Sequence, residues 1–276
     1  SDSSKYFGRT DYKGGNFIAA DYIAQEIKKL GLDVIEQDFT YPKNTMHGAL
    51  SFSVDGKDYE FYKEFVVKEF SSAKNATMDI YYLPDEYLTT KKDQFYSHLN
   101  SGKYINSFVA FNFTLFSNNF GGPGIELYKD NLVQLDKVGG IIFMYDSKPV
   151  SFVARANYTT PFPVVCVGPE FPKGAKQATI NLENKFINNY SAKNLVTYIK
   201  GKENDFDDYY LFMAHFDHMG CIGEGNIFSG ANDNASGTSF LLTLMNYYKQ
   251  NRPENTIVFL FLDAEEANLL GAYHYA

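Results

Sequence analysis

The sequence has no long hydrophobic run and no excess of positive charge. Its apolar stretches, such as Thr256 to Leu262, have the length of a strand, whereas a membrane-spanning helix needs roughly 20 residues. Lys and Arg number 25 against 33 Asp and Glu, which gives a net charge of -8. The chain therefore lacks the cationic surplus that binds a nucleic-acid backbone or an anionic membrane. We therefore predict that the chain has no transmembrane segment and no nucleic-acid partner.

Cysteine is also scarce, and the chain starts without an apolar leader. Cys166 and Cys221 lack the spacing of a metal-ligand pair, so we interpret both as free thiols. The first residues, Ser1 to Lys5, do not resemble a signal peptide. We therefore expect that any export signal was removed or never existed.

The residues that are present predict a globular α/β protein. Hydrophobic residues make up 45% of the chain and aromatic residues 17%. Asn16 is predicted to cap a helix whose apolar positions run from Phe17 to Leu30, with Gly31 closing it. Short strand-like runs follow from about residue 49, and strands alternate with helices from Lys193 onward.

This change from short strand-like runs to alternating strands and helices predicts two domains. Residues 1–48 and 190–276 are expected to form one body with a mostly parallel mixed sheet sandwiched by helices, and a β-rich domain, residues 49–189, is inserted between them. The later elements of the α/β body are predicted as follows: strands Asn194 to Ile199, Tyr209 to His215 and Thr256 to Asp263, and a helix from Ser236 to Gln250.

Polar residues follow the predicted strands where each strand ends. They are His215, Asp217, Asp233, Glu265 and Glu266. Open α/β sheets bind their ligands at the carboxyl ends of parallel strands, so these side chains are expected to share one crevice.

Each residue taken alone has a simpler explanation. His215 is compatible with a core histidine and Asp217 with a solvated side chain. Asp233 suits a helix cap, and the pair Glu265 and Glu266 suits the first turn of a helix. The occurrence of all five in one ordered run of about fifty residues favours a site.

This ordered set closely resembles the co-catalytic dizinc aminopeptidase family, which includes bacterial leucyl aminopeptidases. The superfamily also contains the glutamate carboxypeptidases and the transferrin receptor. The motifs that carry the resemblance are His215-Phe216-Asp217-His218, Gly230-Ala231-Asn232-Asp233-Asn234-Ala235-Ser236-Gly237, and Asp263-Ala264-Glu265-Glu266 with Leu270-Gly271 after it. The inserted domain resembles the protease-associated domain through Lys137 to Ile142 and Pro161 to Val165.

The resemblance implies a role for each candidate residue in a zinc exopeptidase that acts on peptides or proteins. His215 would bind one zinc ion, Asp233 would bridge two, and Glu266 would bind the other. Asp217 would orient His215, and Glu265 would act as general base on a metal-bridging water. Such a site hydrolyses the first peptide bond of its substrate.

The resemblance also implies two ligands that the chain does not supply, an acidic residue and a late histidine downstream of Ala276. Each zinc ion would then have at most two protein ligands, below the three expected of a catalytic site. The peptidase domain is therefore expected to be incomplete at its carboxyl end. Three readings follow: part of a longer active enzyme, a non-catalytic relative that binds a peptide or partner, or a sheet edge completed by another chain. We favour the first, in a secreted or periplasmic enzyme whose preferred substrate residue the sequence leaves open.

Overall fold

The chain forms two compact units in a computed structural model that describes residues 8–10, 12–89, 91–120, 132–133, 135–148, 156–202 and 208–276. One unit comprises Ser1–Lys43 and Ile187–Ala276, and the other comprises Asn44–Phe186. The domain assignments made from the sequence, including the protease-associated character of the insert, stay predictions.

The described part of the chain forms the following strands and α-helices. The strands are β1 (Ile35–Thr45), β2 (Leu50–Val54), β3 (Lys57–Tyr59), β4 (Phe65–Val67), β5 (Lys74–Tyr82), β6 (Tyr104–Asn112), β7 (Val138–Met144), β8 (Val164–Val167), β9 (Gln177–Leu182), β10 (Lys185–Ile199), β11 (Tyr209–His215), β12 (Gly220–Ile222), β13 (Asn226–Phe228) and β14 (Thr256–Leu262). The α-helices are α1 (Gly15–Lys29), α2 (Asp85–Leu88), α3 (Lys92–Leu99), α4 (Phe113–Phe120), α5 (Ser236–Gln250) and α6 (Leu270–Tyr275).

Helix α1 forms where the apolar spacing predicts it, but its start differs from the prediction. The helix begins at Gly15 after Gly14, whose φ of 72° is left-handed. Asn16 lies inside the first turn and donates its side-chain N–H to Asp263, so its predicted role as the cap is wrong. The carboxyl end agrees with the sequence, because Gly31 adopts a φ of 68° and donates to the carbonyl of Lys28.

The first unit contains a mixed four-stranded sheet in the order β1-β10-β14-β11, which confirms the α/β class. Strand β11 runs parallel to β14. Strand β10 runs antiparallel to β14, which makes the sheet mixed. An apolar run shows that a strand is buried but carries no information about its direction.

Strand β14 lies at the centre of this unit and is buried along its whole length. Alternate residues point to opposite faces of a strand. Ile257, Phe259 and Phe261 pack with residues of α1 and α5 on one face. Leu260 and its neighbours on the other face pack against α6. Helices therefore cover both faces of the sheet, as the sequence predicted.

The second unit is built on an eight-stranded sheet in the order β3-β2-β9-β5-β6-β7-β8-β4. Strands β5 to β8 pair in parallel, and the strands at both margins pair antiparallel. Cys166 in this unit and Cys221 in the first are both buried, and neither forms a disulfide within the described part of the chain. Among the described residues, no helix has both the length and the apolar character needed to cross a membrane.

Candidate active site

The two parallel strands of the first unit bring the candidate residues to one edge of the sheet. The pairing of β11 with β14 places His215 opposite Leu262. The next residue continues the alignment, since the N–H of Phe216 donates to the carbonyl of Leu262 at 2.9 Å. The segments that carry Asp217 and the pair Glu265 and Glu266 therefore leave the sheet side by side.

Asp233 reaches the same place from the loop before α5. Its carboxylate oxygen Oδ1 lies 3.2 Å from Nε2 of His215, and its side chain is 64% exposed. The cap-like hydrogen bond of this loop is made instead by Asn234, whose Oδ1 accepts from the N–H of Gly237 at 3.1 Å. Thr238 anchors the start of α5 by donating its hydroxyl to the carbonyl of His215 at 3.1 Å. Asp233 is thus left facing the imidazole.

Asp217 is a buried carboxylate that contacts both strand ends. Its Oδ1 accepts from the N–H of Glu265 and its Oδ2 from the N–H of Glu266, each at 3.1 Å. Oδ1 also lies 3.5 Å from Nδ1 of His215. One carboxylate therefore fixes the backbone of the glutamate pair and the orientation of the histidine ring, and it is not solvated.

His215 is held in an orientation that suits a metal ligand. The carboxylate and the carbonyl oxygen of Asp217 both lie near Nδ1, the latter at 3.2 Å. Two acceptors at Nδ1 favour the tautomer that keeps its proton there and leaves the lone pair on Nε2. Burial opposes protonation of the ring, but the hydrogen bond to Asp217 and the charges of Asp217 and Glu265 raise the pKa of His215 overall.

The glutamate pair lies in a turn before α6, which begins only at Leu270. Oε2 of Glu265 is 3.7 Å from Nε2 of His215. Oε1 of Glu266 is 2.6 Å from Nδ1 of His218, a residue for which the sequence predicts no role. Ligand atoms of His218, Asp233 and Glu266 lie within 4.8 Å of one another. The roles predicted for His215, Asp233 and Glu266 as ligands stay predictions.

A second buried carboxylate, Asp263, supports this edge of the sheet. It accepts from Asn16 at 3.0 Å and from the N–H groups of Lys193 and Ala264. Burial, together with the negative charge of Asp217, raises its pKa to about 7. The contact with Asn16 joins residues 247 positions apart, so no local sequence signal points to it.

Comparison with known sequences agrees with this geometry. The profile of peptidase family M28 matches residues 194–276. This segment of the chain is similar to peptidase family M28. It contains all five candidate residues, and the rest of the first unit consists of Ser1–Lys43 and residues 187–193.

Curated relatives match about a third of this chain. A vacuolar membrane protease from Kluyveromyces lactis is 40% identical over 83 residues, which are 30% of this chain and 8% of the relative. Aminopeptidase YwaD from Bacillus subtilis is 36% identical over 100 residues, which are 36% of this chain and 20% of the relative. The matched segment is therefore a small part of each relative.

Solved structures share the fold over nearly the whole chain. A peptidase M28 precursor from Shewanella amazonensis matches 99% of this chain and 64% of its own, with a TM-score of 0.67 and 17% identity. The zinc aminopeptidase BSAP from Bacillus subtilis matches 95% of this chain and 58% of its own, with a TM-score of 0.63 and 23% identity. An aminopeptidase from Aneurinibacillus sp. strain AM-1 matches 95% of this chain and 60% of its own, with a TM-score of 0.62 and 16% identity. The chain spans about 60% of the length of these proteins.

Proposed function

We propose that this chain carries the catalytic segment of a zinc-dependent exopeptidase, an aminopeptidase that hydrolyses the first peptide bond of a peptide or protein. The observation that carries the proposal is the meeting of His215, Asp233, Glu265 and Glu266 at the carboxyl ends of two parallel strands. The names of the aminopeptidase and zinc aminopeptidase relatives support it.

The donor set fits zinc. Zinc sites in enzymes combine imidazole nitrogens with carboxylate oxygens, and a ligating imidazole usually donates its other N–H to a carboxylate or carbonyl. His215 has this arrangement, with Asp217 at Nδ1 and Asp233 at Nε2. Asp233 also belongs to the group formed with Glu266 and His218, so one carboxylate lies between two sets of donors. This supports His215, Asp233 and Glu266 as ligands of two ions, with Asp233 shared.

The remaining residues divide the work of hydrolysis. Bound zinc would polarise the scissile carbonyl and lower the pKa of water at the site. Glu265 is partly exposed and faces the same imidazole as Asp233, so it is placed to accept a proton from the attacking water and return it to the leaving amine. Asp217 accepts from the backbone N–H groups of Glu265 and Glu266 and so fixes the positions of the proposed base and the proposed ligand.

Zinc content and hydrolysis test these assignments separately. Wild type, Glu265→Gln and Glu266→Gln are compared by elemental analysis and by release of a chromogenic amino-acid amide, with and without chelator. Glu254→Gln is the matched control, because Glu254 forms a surface ion pair with Lys202 away from the site.

We expect Glu265→Gln to keep its zinc and lose at least about 100-fold in hydrolysis, the smallest contribution typical of a general base. Glu266→Gln should lose zinc, and the control should match wild type. A Glu265→Gln variant with full activity would refute the role of the base. Wild type without zinc and without hydrolysis would favour the non-catalytic binding relative.

Two further properties are part of this proposal. The enzyme would be exported, as a secreted or periplasmic protein. Strand β11 is outermost in the four-stranded sheet and exposes Tyr210 and Met213, which are 61% and 53% accessible. An exposed strand edge of this kind is suited to pairing with a strand of another chain.

A further inference from the structure

A buried guanidinium lies behind the candidate site. Arg9 is only 8% exposed, and its Nε donates to the carbonyl of Phe216 at 2.6 Å. Nη1 donates to the carbonyl of Ser229 at 2.9 Å, and Nη2 donates to those of Gly230 at 2.7 Å and Asp233 at 3.2 Å. All three nitrogens of one side chain are therefore used on backbone carbonyls.

The carbonyls belong to two separate segments, and both carry candidate residues. We call residues 215–218 the strand-end turn and residues 229–235 the helix-entry loop. The side chain of Arg9 donates to both, and its own carbonyl accepts from the N–H of His218 at 3.0 Å. Arg9 thus joins the backbone beside His215 and His218 to the backbone of Asp233.

The packing around the guanidinium leaves no room for a side chain at position 230, which is a glycine. Gly230 has a φ of 59°, and a Cβ atom built there would lie 2.6 Å from Nη2 of Arg9 and 2.5 Å from Cδ2 of His218. Real Cβ atoms do not approach other atoms this closely. The guanidinium therefore packs against bare backbone, with little room for the helix-entry loop to shift.

The charge of Arg9 is balanced locally. Burial lowers its pKa, and the charges of Asp217 and Asp233 oppose that shift. Arginine keeps its charge in proteins and presents five N–H donors in a rigid planar fork. Lysine has a single ammonium group on a flexible stem, so it would keep the charge but not the spread of donors that reaches both segments.

We propose that Arg9 is a positioning residue for the candidate site. It holds the strand-end turn and the helix-entry loop together, so that the imidazole and carboxylate donors face one another before a metal ion binds. The consequence for zinc rests on the proposed function, whereas the ordering of the two segments does not depend on any metal.

The test uses Arg9→Lys, which keeps the charge, and Arg252→Lys as the matched control. Arg252 also donates to backbone carbonyls, those of Lys200 and Gly201, but these precede β11 at the opposite end of the strand from the site. Hydrogen–deuterium exchange is followed in metal-free protein over the two segments and the rest of the chain. The dissociation constant for zinc is measured by competition with a chelating indicator, and the folded fraction is checked by circular dichroism.

For Arg9→Lys we expect exchange at least about 10-fold faster in the two segments, unchanged exchange elsewhere, and zinc binding weakened about 10- to 100-fold, as for residues that orient metal ligands. Arg252→Lys should change neither readout at the site. Wild-type exchange in both segments of Arg9→Lys would overturn the proposal, as would faster exchange spread evenly over the unit. If wild type binds no zinc, the proposed function fails, and the exchange data still decide whether Arg9 orders the two segments.

Discussion

The contacts of Asp217 give the most direct test of how the site is assembled. Its two carboxylate oxygens accept the N–H groups of Glu265 and Glu266 at 3.1 Å each. The substitution Asp217→Asn keeps the size of the side chain but leaves a single acceptor oxygen. The amide NH2 would then face one of the two backbone N–H donors, and neither can accept.

The expected cost follows from that lost contact. A hydrogen bond to a charged group contributes about 1.5–3 kcal/mol, and an unsatisfied buried N–H adds to the loss. We expect the free energy of local opening of the Glu265–Glu266 turn to fall by about 2–3 kcal/mol. Since about 1.4 kcal/mol corresponds to a factor of ten, amide exchange in this turn should be about 30- to 150-fold faster.

Hydrogen–deuterium exchange of metal-free protein measures this directly, on peptides that cover residues 262–269. Asp33→Asn is the matched control, because Asp33 is an exposed residue of the same unit near Lys200, remote from the site. A surface change of this kind should alter stability by less than about 0.5 kcal/mol. Equal exchange of the turn in Asp217→Asn and wild type would refute the reasoning, since the carboxylate would then not be holding the glutamate backbone.

Two further predictions concern the sheet that supports the site. Phe259→Ala removes a fully buried side chain and should lower the free energy of unfolding by about 3–5 kcal/mol in urea titrations. Tyr273→Ala is the control, because Tyr273 is 72% exposed and its loss should change the free energy of unfolding little. Equal losses in the two variants would contradict the assigned core. Asp263 has a pKa of about 7 in the folded chain against an ordinary value of 3.8, so the stability it contributes is present below about pH 4 and is lost as the pH rises through 7. The slope reaches about 1.4 kcal/mol for each pH unit, and Asp263→Asn should flatten it in chelator-treated protein; an unchanged pH profile of unfolding would count against this account.

The sequence predicted the local elements that carry the candidate residues. The helix from Ser236 to Gln250 and the strand from Tyr209 to His215 have the predicted bounds, and β14 ends at Leu262, one residue before the predicted end. Apolar periodicity decides these elements, because each buries a face with a period of 3.6 or 2 residues. The order of the polar residues after the strands is also visible in the sequence, because these residues lie within one short segment of the chain.

The tertiary structure decided what the local pattern does not encode. The direction of β10 is seen only in its antiparallel pairing with β14, because the hydrophobicity of a strand is the same for either direction. Arg9 and Asn16 contact the site from more than 200 residues away, and each resembles an ordinary residue of a turn or helix start in the sequence. The sequence by itself thus determined the strands and the helix next to the candidate residues, because these elements form from local periodicity. Only the fold determined which residues hold them in place, because buried hydrogen bonds depend on which segments meet in space.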